Sequence, residues 1–174
     1  REFDLLVIGG GIAGAATAWD AALRGLSVAL LERGDFGGAT SAESLKVVHG
    51  GVRYLQHLDI VRVRESARER RALLRVAPHL VHPMQFVIPA YGHGMKGPEI
   101  LAAGFTALNL LTPDRNAGIT DRTRRIPAAR IVSRRRVLQW FPELPPDGLT
   151  GAGVFWDGQM QNPPRLVWSM VRAA

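Results

Sequence analysis

Three glycines and one acid are the first residues here whose types and spacing carry chemistry. Gly9, Gly11 and Gly14 fall on G-x-G-x-x-G, and Glu32 follows eighteen residues after Gly14. In such a pattern the first glycine permits a tight turn, the second lets backbone approach a pyrophosphate, and the third lets a helix pack closely on a strand. A carboxylate at the end of the next strand accepts hydrogen bonds from a ribose diol and repels a 2′-phosphate. The pattern therefore favours FAD or NAD over NADP.

The elements that must position these residues can be read around them. Phe3 to Ile8 is a nearly continuous apolar run, as a parallel strand covered on both faces requires. A helix is expected from about Ile12 to Arg24, kept slim by Ala13, Ala15, Ala16, Ala18, Ala21 and Ala22. Its free N–H groups and positive dipole end suit an anion without a charged side chain. Gly25 stands where a helix-terminating glycine is expected, and Leu26 to Leu31 read as a second strand ending at Glu32. Strand, glycine turn, helix, strand and acid in that order make a unit for the ADP half of a dinucleotide. Three glycines alone would make only a turn.

From Arg33 to Gly51 the periodicity lapses into the loop RGDFGGATSAESLKVVHGG. A loop of this length inside a compact domain usually carries function. Lys46 to His49 looks like a short ordered return, and Gly50 and Gly51 would let backbone lie close to a ligand. His49 reads either as a structural hydrogen-bonding histidine or as a cofactor contact. Arg53 and Tyr54 follow directly, and the arginine fork suits a phosphate or carboxylate better than a plain surface position would explain. His79 and His82 are bracketed by Pro78 and Pro83, outside a regular helix, and no metal is expected there. No paired-carboxylate, Ser/His/Asp or Walker arrangement stands out, so the catalytic residue stays unassigned. A redox cofactor would itself do the difficult chemistry.

Downstream, Asp59 can cap a helix running to about Ala77, with Ile60, Val63, Ala67, Leu74 and Ala77 on its apolar stripe and Glu65, Arg68 and Arg75 on its polar side. Met84 to Ala90 reads as a strand. Pro98 to Leu111 reads as an apolar core or packing helix, with an interfacial membrane contact as the sharper alternative. Thr112 to Arg136 is a basic connecting stretch, expected to be a solvated face, in which Ser133 can cap a short helix to Phe141. Lacking interleaved aromatics, it is not expected to bind nucleic acid specifically. Val154 to Trp156 reads as a short strand and Pro163 to Ala174 as the start of a helix.

Composition narrows the classes. The 174 residues contain no cysteine, which excludes disulfides, thiolate metal sites and a cysteine nucleophile, and fits a reducing compartment. The net charge of +7 comes mostly from arginine, since the only lysines are Lys46 and Lys96. No apolar run reaches the length of a membrane span, and no signal core precedes the first strand. A cytoplasmic location is expected, with peripheral contact to the cytoplasmic membrane as an option. Arg1 stands two residues before a buried strand and Ala174 inside a helix, so the chain is expected to be an internal piece of a longer protein.

Four segments together carry a family resemblance: DLLVIGGGIAGAATAWDAALRGLSVALLE, ATSAESLKVVHGGVRYL, APHLVHPMQFVIP, and WDGQ followed by PRL at Pro164 to Leu166. The chain resembles the FAD-dependent glycerol-3-phosphate dehydrogenase/oxidase family, within the glutathione-reductase-like flavoproteins that include D-amino acid oxidases. The first segment is generic to flavoproteins, whereas HGGVRYL and APHLVHP are far more specific. The resemblance implies an α/β fold with a Rossmann-like FAD-binding domain on a parallel sheet and the start of a substrate or cap region. It divides the chain into 1–80 (the FAD-binding βαβ unit with the flavin loop and next helix), 81–153 (substrate or cap region) and 154–174 (return to the FAD-binding domain).

It also implies roles. Gly9, Gly11, Gly14 and Glu32, with Arg33 beside them, would hold the FAD pyrophosphate and adenosine ribose. Thr40, Ser41, Ser44, Lys46, His49, Gly50 and Gly51 would lie in the loop along the flavin. Arg53 and Tyr54 would meet the substrate, the arginine taking its phosphate. Glycerol 3-phosphate would be oxidised at C2 to dihydroxyacetone phosphate, with electrons going on to quinone or oxygen. The family base would lie beyond Ala174, and the piece alone is expected to be inactive. Two departures bear on the substrate: Ala42 and Leu45 stand where the family loop is richer in serine, and Met160 to Arg165 replaces the Asp-Asp-Ala-Arg run usual after WDGQ. An amine or D-amino acid oxidase would share the fold, and a non-catalytic nucleotide-binding module is the rival from another class.

Overall fold

The two apolar runs of the glycine unit pair as parallel strands, and the alanine-rich segment between them becomes the crossover helix. A computed structural model describes residues 2–174. In chain order its elements are β1 (Leu5–Ile8), α1 (Ile12–Leu23), β2 (Val28–Leu31), β3 (Val47–Val48), α2 (Ile60–Val76), β4 (Val81–Tyr91), α3 (Pro98–Leu111), β5 (Arg130–Ser133), α4 (Arg134–Trp140), β6 (Leu149–Met160) and α5 (Pro163–Ala173). They form two compact units, one of residues 1–47 with 160–174 and one of residues 48–159.

In the first unit β1 and β2 run parallel, in register from Leu5 opposite Val28 to Ile8 opposite Leu31. Helix α1 buries Ala15, Ala18 and Ala21, a small-residue stripe that allows close packing, and it lies against α5. Helix α5 is capped by Asn162, whose side-chain oxygen accepts from Arg165 N at 3.0 Å, and opens on Pro163. Leu166, Val167 and Met170 are its buried residues beyond that first turn. The expectation of strands covered on both faces is met on one side only. Leu6, Ile8 and Leu31 are 55%, 81% and 56% exposed, while α1 packs against both strands.

In the second unit β6 is the strand with which β3, β4 and β5 all pair. Strand β5 is antiparallel to it, with Arg130 opposite Val154 and Ser133 opposite Gly151. Val63 of α2, Phe105 and Leu108 of α3, and Phe155 of β6 form the main core with Ala129, and Phe86 of β4 stacks on Phe155 at 5.2 Å. Helix α2 is capped by Asp59, which accepts from Arg62 N at 3.1 Å. It buries Val63, Ala67, Arg70 and Leu74.

Several boundaries differ from those read in the sequence. Strand β6 has 12 residues rather than three, and β4 begins at Val81 and passes through Pro83. Pro83 is tolerated because β4 lies at the sheet edge, where a missing N–H costs no ladder bond. Strand β5 lies inside the basic stretch and exists through its pairing with β6. The two compact units divide after residues 47 and 159. Helix α2 belongs with the second unit because Val63 and Arg70 are committed to its core and to Asp157.

The arginines after α3 are not simply a solvated face. Arg115 donates to the carbonyls of Thr112 and Ile126, Arg125 to that of Ile119, and Arg124 to that of Pro78. Arg64 and Arg71 of α2 grip Asp114, at 2.5 and 2.6 Å. These side chains satisfy loop carbonyls that no secondary structure pairs. Among the described residues no cluster of three or more potential ligands could hold a metal ion, and no helix is long and apolar enough to cross a membrane.

Candidate functional site

In the first unit, Gly9 adopts a φ of +104°, in the left-handed region that L side chains avoid, and its N–H donates to Leu31 O at 2.8 Å. Gly14 touches the same turn from the helix side. A Cβ there would collide with Gly9 O, so only glycine allows the helix to start this close to the strand. Gly11 is the helix N-cap and puts no side chain over the first turn. Instead Ser41 reaches across from the loop, its Oγ accepting from Ile12 N at 3.0 Å. The serine hydroxyl keeps its own proton to donate to an anion.

Glu32 does more than end a strand. One carboxylate oxygen accepts from Gly10 N at 2.6 Å and the other from Gly34 N at 2.8 Å. Those backbone N–H groups, Gly10 first, hold its carboxyl below the usual carboxylate range. Each oxygen retains a lone pair for a ribose hydroxyl. Gly11, Thr40, Ser41 and Ser44 all line one cavity of about 450 Å³, whose other walls include Pro163 and Val167 of α5. Those two wall residues were not anticipated, and their only sequence signal is that an apolar helix follows WDGQ. Arg33 and Lys46 are exposed and lie outside that lining. Lys46 has a φ of +58°, and its carbonyl accepts from Met160 N at 2.7 Å, so it fixes the loop's return.

The second unit has its own cavity of about 400 Å³, lined by His49, Gly51, Arg53 and Tyr54 together with Phe86, Phe155 and Asp157. The short turn Val52–His57 positions Arg53 and Tyr54, while Val52, Tyr54 and Leu55 pack on the main core. Arg53 is exposed and the Tyr54 ring receives the Arg62 guanidinium at 5.8 Å. The lining joins two phenylalanines to a few polar groups, which is how small-molecule sites are usually built.

The glycine pair at this cavity also answers to the protein's own packing. Gly51 has a φ of +89°, and a Cβ would stand 2.8 Å from Val63 Cα of α2. A Cβ on Gly50 would meet the Arg70 guanidinium. Arg70 and Asp157 form a buried ion pair at 2.6 Å, each side chain 5% exposed, and Asp157 Oδ1 also accepts from Gly50 N at 2.7 Å. Burial pushes the Asp157 carboxyl up, against the opposing pull of Arg70 and the Gly50 N–H. The same burial pushes Arg70 down. Packing against Arg70 thus demands a glycine at position 50. Neither Arg70 nor Asp157 was singled out from sequence as a site residue. The available signal was a charged residue at 70 on the apolar stripe of Val63, Ala67 and Leu74.

Residues 4–174 match the family described as FAD dependent oxidoreductase. The chain belongs to that family. Among curated members it is 40% identical over 164 residues to a glycerol-3-phosphate dehydrogenase of Synechocystis sp., covering 94% of this chain and 28% of that protein. It is 43% identical over 180 residues to glycerol-3-phosphate dehydrogenase 1 of Mycobacterium tuberculosis, covering 98% of this chain and 33% of that one. Among solved structures, that of the glycerol-3-phosphate dehydrogenase from Bacillus halodurans complexed with FAD superposes with a TM-score of 0.64 at 25% identity, over 99% of this chain and 24% of that chain. This chain thus spans about a third or less of the length of the relatives it matches.

The first unit fits the family's cofactor on its own geometry. The turn at Gly9 leaves open space where a Cβ would point, Gly11 leaves the helix start bare, and Ser41 and Glu32 offer a donor and acceptors beside it. These groups suit a pyrophosphate and a ribose of the FAD dependent family.

Proposed function

We propose that the intact protein oxidises sn-glycerol 3-phosphate, or a closely related phosphorylated hydroxy compound, to the corresponding ketone. The observation that carries this reading is the cavity on which His49, Arg53 and Tyr54 converge, in a chain 40% and 43% identical to two glycerol-3-phosphate dehydrogenases. Gly9, Gly11, Gly14, Ser41 and Glu32 hold the pyrophosphate and ribose of FAD, with Arg33, Thr40, Ser44, Lys46, His49, Gly50 and Gly51 as further cofactor-loop positions. FAD, when bound, supplies the two-electron acceptor. Arg53 presents a fork of donors to the substrate phosphate, and Tyr54 forms the wall against which its carbon chain lies. Phe86 and Phe155 give the cavity an apolar wall.

Residues 81–153 begin the substrate-facing region in this reading, and electrons pass on to quinone or oxygen. A cytoplasmic protein with peripheral membrane contact is consistent with the exposed Met95 just before α3 and Leu110 in its last turn, 81% and 75%. Flotation of the intact protein with anionic vesicles tests that contact, and no binding would remove it.

The deciding experiment is anaerobic addition of glycerol 3-phosphate to the purified intact protein while its flavin absorbance is recorded. Bleaching establishes cofactor, reaction type and substrate class together. A bound flavin that stays oxidised defeats the substrate assignment and turns the search to amines and hydroxy acids.

A further inference from the structure

Among the described residues Asp157 is the one buried carboxylate, 3% exposed. Its two oxygens have separate duties. Oδ1 takes both anchoring donors, Arg70 Nη1 at 2.6 Å and Gly50 N at 2.7 Å. Oδ2 lies 3.6 Å from Nδ1 of His49, whose side chain is 69% exposed. The same Arg70 Nη1 also donates to Trp156 O at 2.8 Å, which ties the guanidinium to the backbone next to Asp157. The backbone beside the histidine is held as well, because the next residue in the chain, Gly50, donates its N–H to the same carboxylate.

A neutral imidazole carries one N–H and one lone pair, whereas a carboxylate only accepts. A carboxylate facing Nδ1 therefore favours the tautomer with the proton on Nδ1 and leaves the lone pair on Nε2. A nitrogen base oriented in this way by a third group is a recurrent arrangement in active sites.

We propose that Asp157 is a positioning residue: anchored through Oδ1, it turns Oδ2 to His49, holds the imidazole proton on Nδ1, and leaves Nε2 as the acceptor for a substrate hydroxyl in the 400 Å³ cavity. The orienting step stands on geometry alone. Only the identity of the hydroxyl rests on the proposed function above.

The test is the 15N spectrum of histidine-labelled intact protein, with His49 assigned by its loss in His49→Gln. An exposed histidine left to itself favours the proton on Nε2, so a neutral His49 protonated on Nδ1 supports the proposal. A proton on Nε2 overturns it. Asp157→Asn supplies a second arm. The amide keeps an oxygen for Arg70 and Gly50 but turns a donor to Nδ1, so the tautomer reverses and kcat falls by roughly 10²-fold while KM changes by less than about threefold. An unchanged tautomer in that variant also overturns the proposal. Should the variant not fold, the wild-type spectrum decides by itself. An Nδ1-protonated His49 in a protein that leaves glycerol 3-phosphate unoxidised sinks the substrate reading and keeps the positioning role. Turnover with the proton on Nε2 does the reverse.

Discussion

Gly51 and Arg53 stand two residues apart and answer to different demands. Gly51 is fixed by the fold, since its φ of +89° and the 2.8 Å approach of Val63 Cα leave no room for a methyl group. Gly51→Ala should cost about 1–3 kcal/mol from backbone strain, with more from displacement of α2. Thermal unfolding of the variant would read this as a lowered Tm, and an unchanged Tm would show that α2 yields freely. Arg53 is exposed and lines the cavity, so its removal should leave stability nearly untouched. Arg53→Ala should raise KM for a phosphorylated substrate by roughly 10- to 150-fold, the equivalent of about 1.5–3 kcal/mol for a charge-assisted hydrogen bond. Steady-state kinetics with phosphorylated and unphosphorylated substrates would check it, and equal effects on both would remove the phosphate role.

Helices α2 and α3 show how one element can serve two purposes. Along α2, Val63, Ala67 and Leu74 fill the core while Arg70, on the same stripe, reaches Asp157. Keeping only one member of that buried pair would strand a charge, at a cost of about 3–5 kcal/mol. Helix α3 is built more loosely. A Cβ on Gly104 would meet nothing within 4 Å, so that glycine gives the helix freedom without any packing return. Gly104→Ala should therefore stabilise the protein by about 0.5–1 kcal/mol, the opposite sign from Gly51→Ala. Urea unfolding of the two variants side by side is the check, and a destabilised Gly104→Ala would mean that close packing has been missed on that face.

At the scale of the whole molecule, acid stability should depend on Asp114. Hydrogen bonds from Arg64 and then Arg71 lower its pKa from 3.8 to about 2. A carboxylate depressed in the folded state contributes stability that is complete above its unfolded pKa and lost as pH falls through the folded one. The contribution should therefore disappear between about pH 4 and pH 2. Because Asp114 is 33% exposed, solvent screening reduces it to on the order of 1–2 kcal/mol. Asp114→Asn should flatten the dependence of unfolding free energy on pH across that window, and an unaltered slope would remove Asp114 as its source.

Local sequence suffices for the glycine turn, the helix that follows it and the acid at Glu32, because each depends on near neighbours in the chain: one φ, one helix start, one strand end. It also determined α3 and the capped start of α2, whose periodicity and capping residues are local. The remaining features depend on contacts between residues far apart in the chain. Strand β5 is a short run among arginines and becomes a strand through pairing with β6, and residues 149–153 extend β6 although their glycines and alanine carry little strand signal. The joining of His49, Gly50 and Arg70 at Asp157 spans 107 residues between Gly50 and its acceptor. No local preference records such a contact. Burial of the Arg70–Asp157 pair exists only once α2 and β6 have packed, and so the residues that hold the site in place are the ones the chain alone could not disclose.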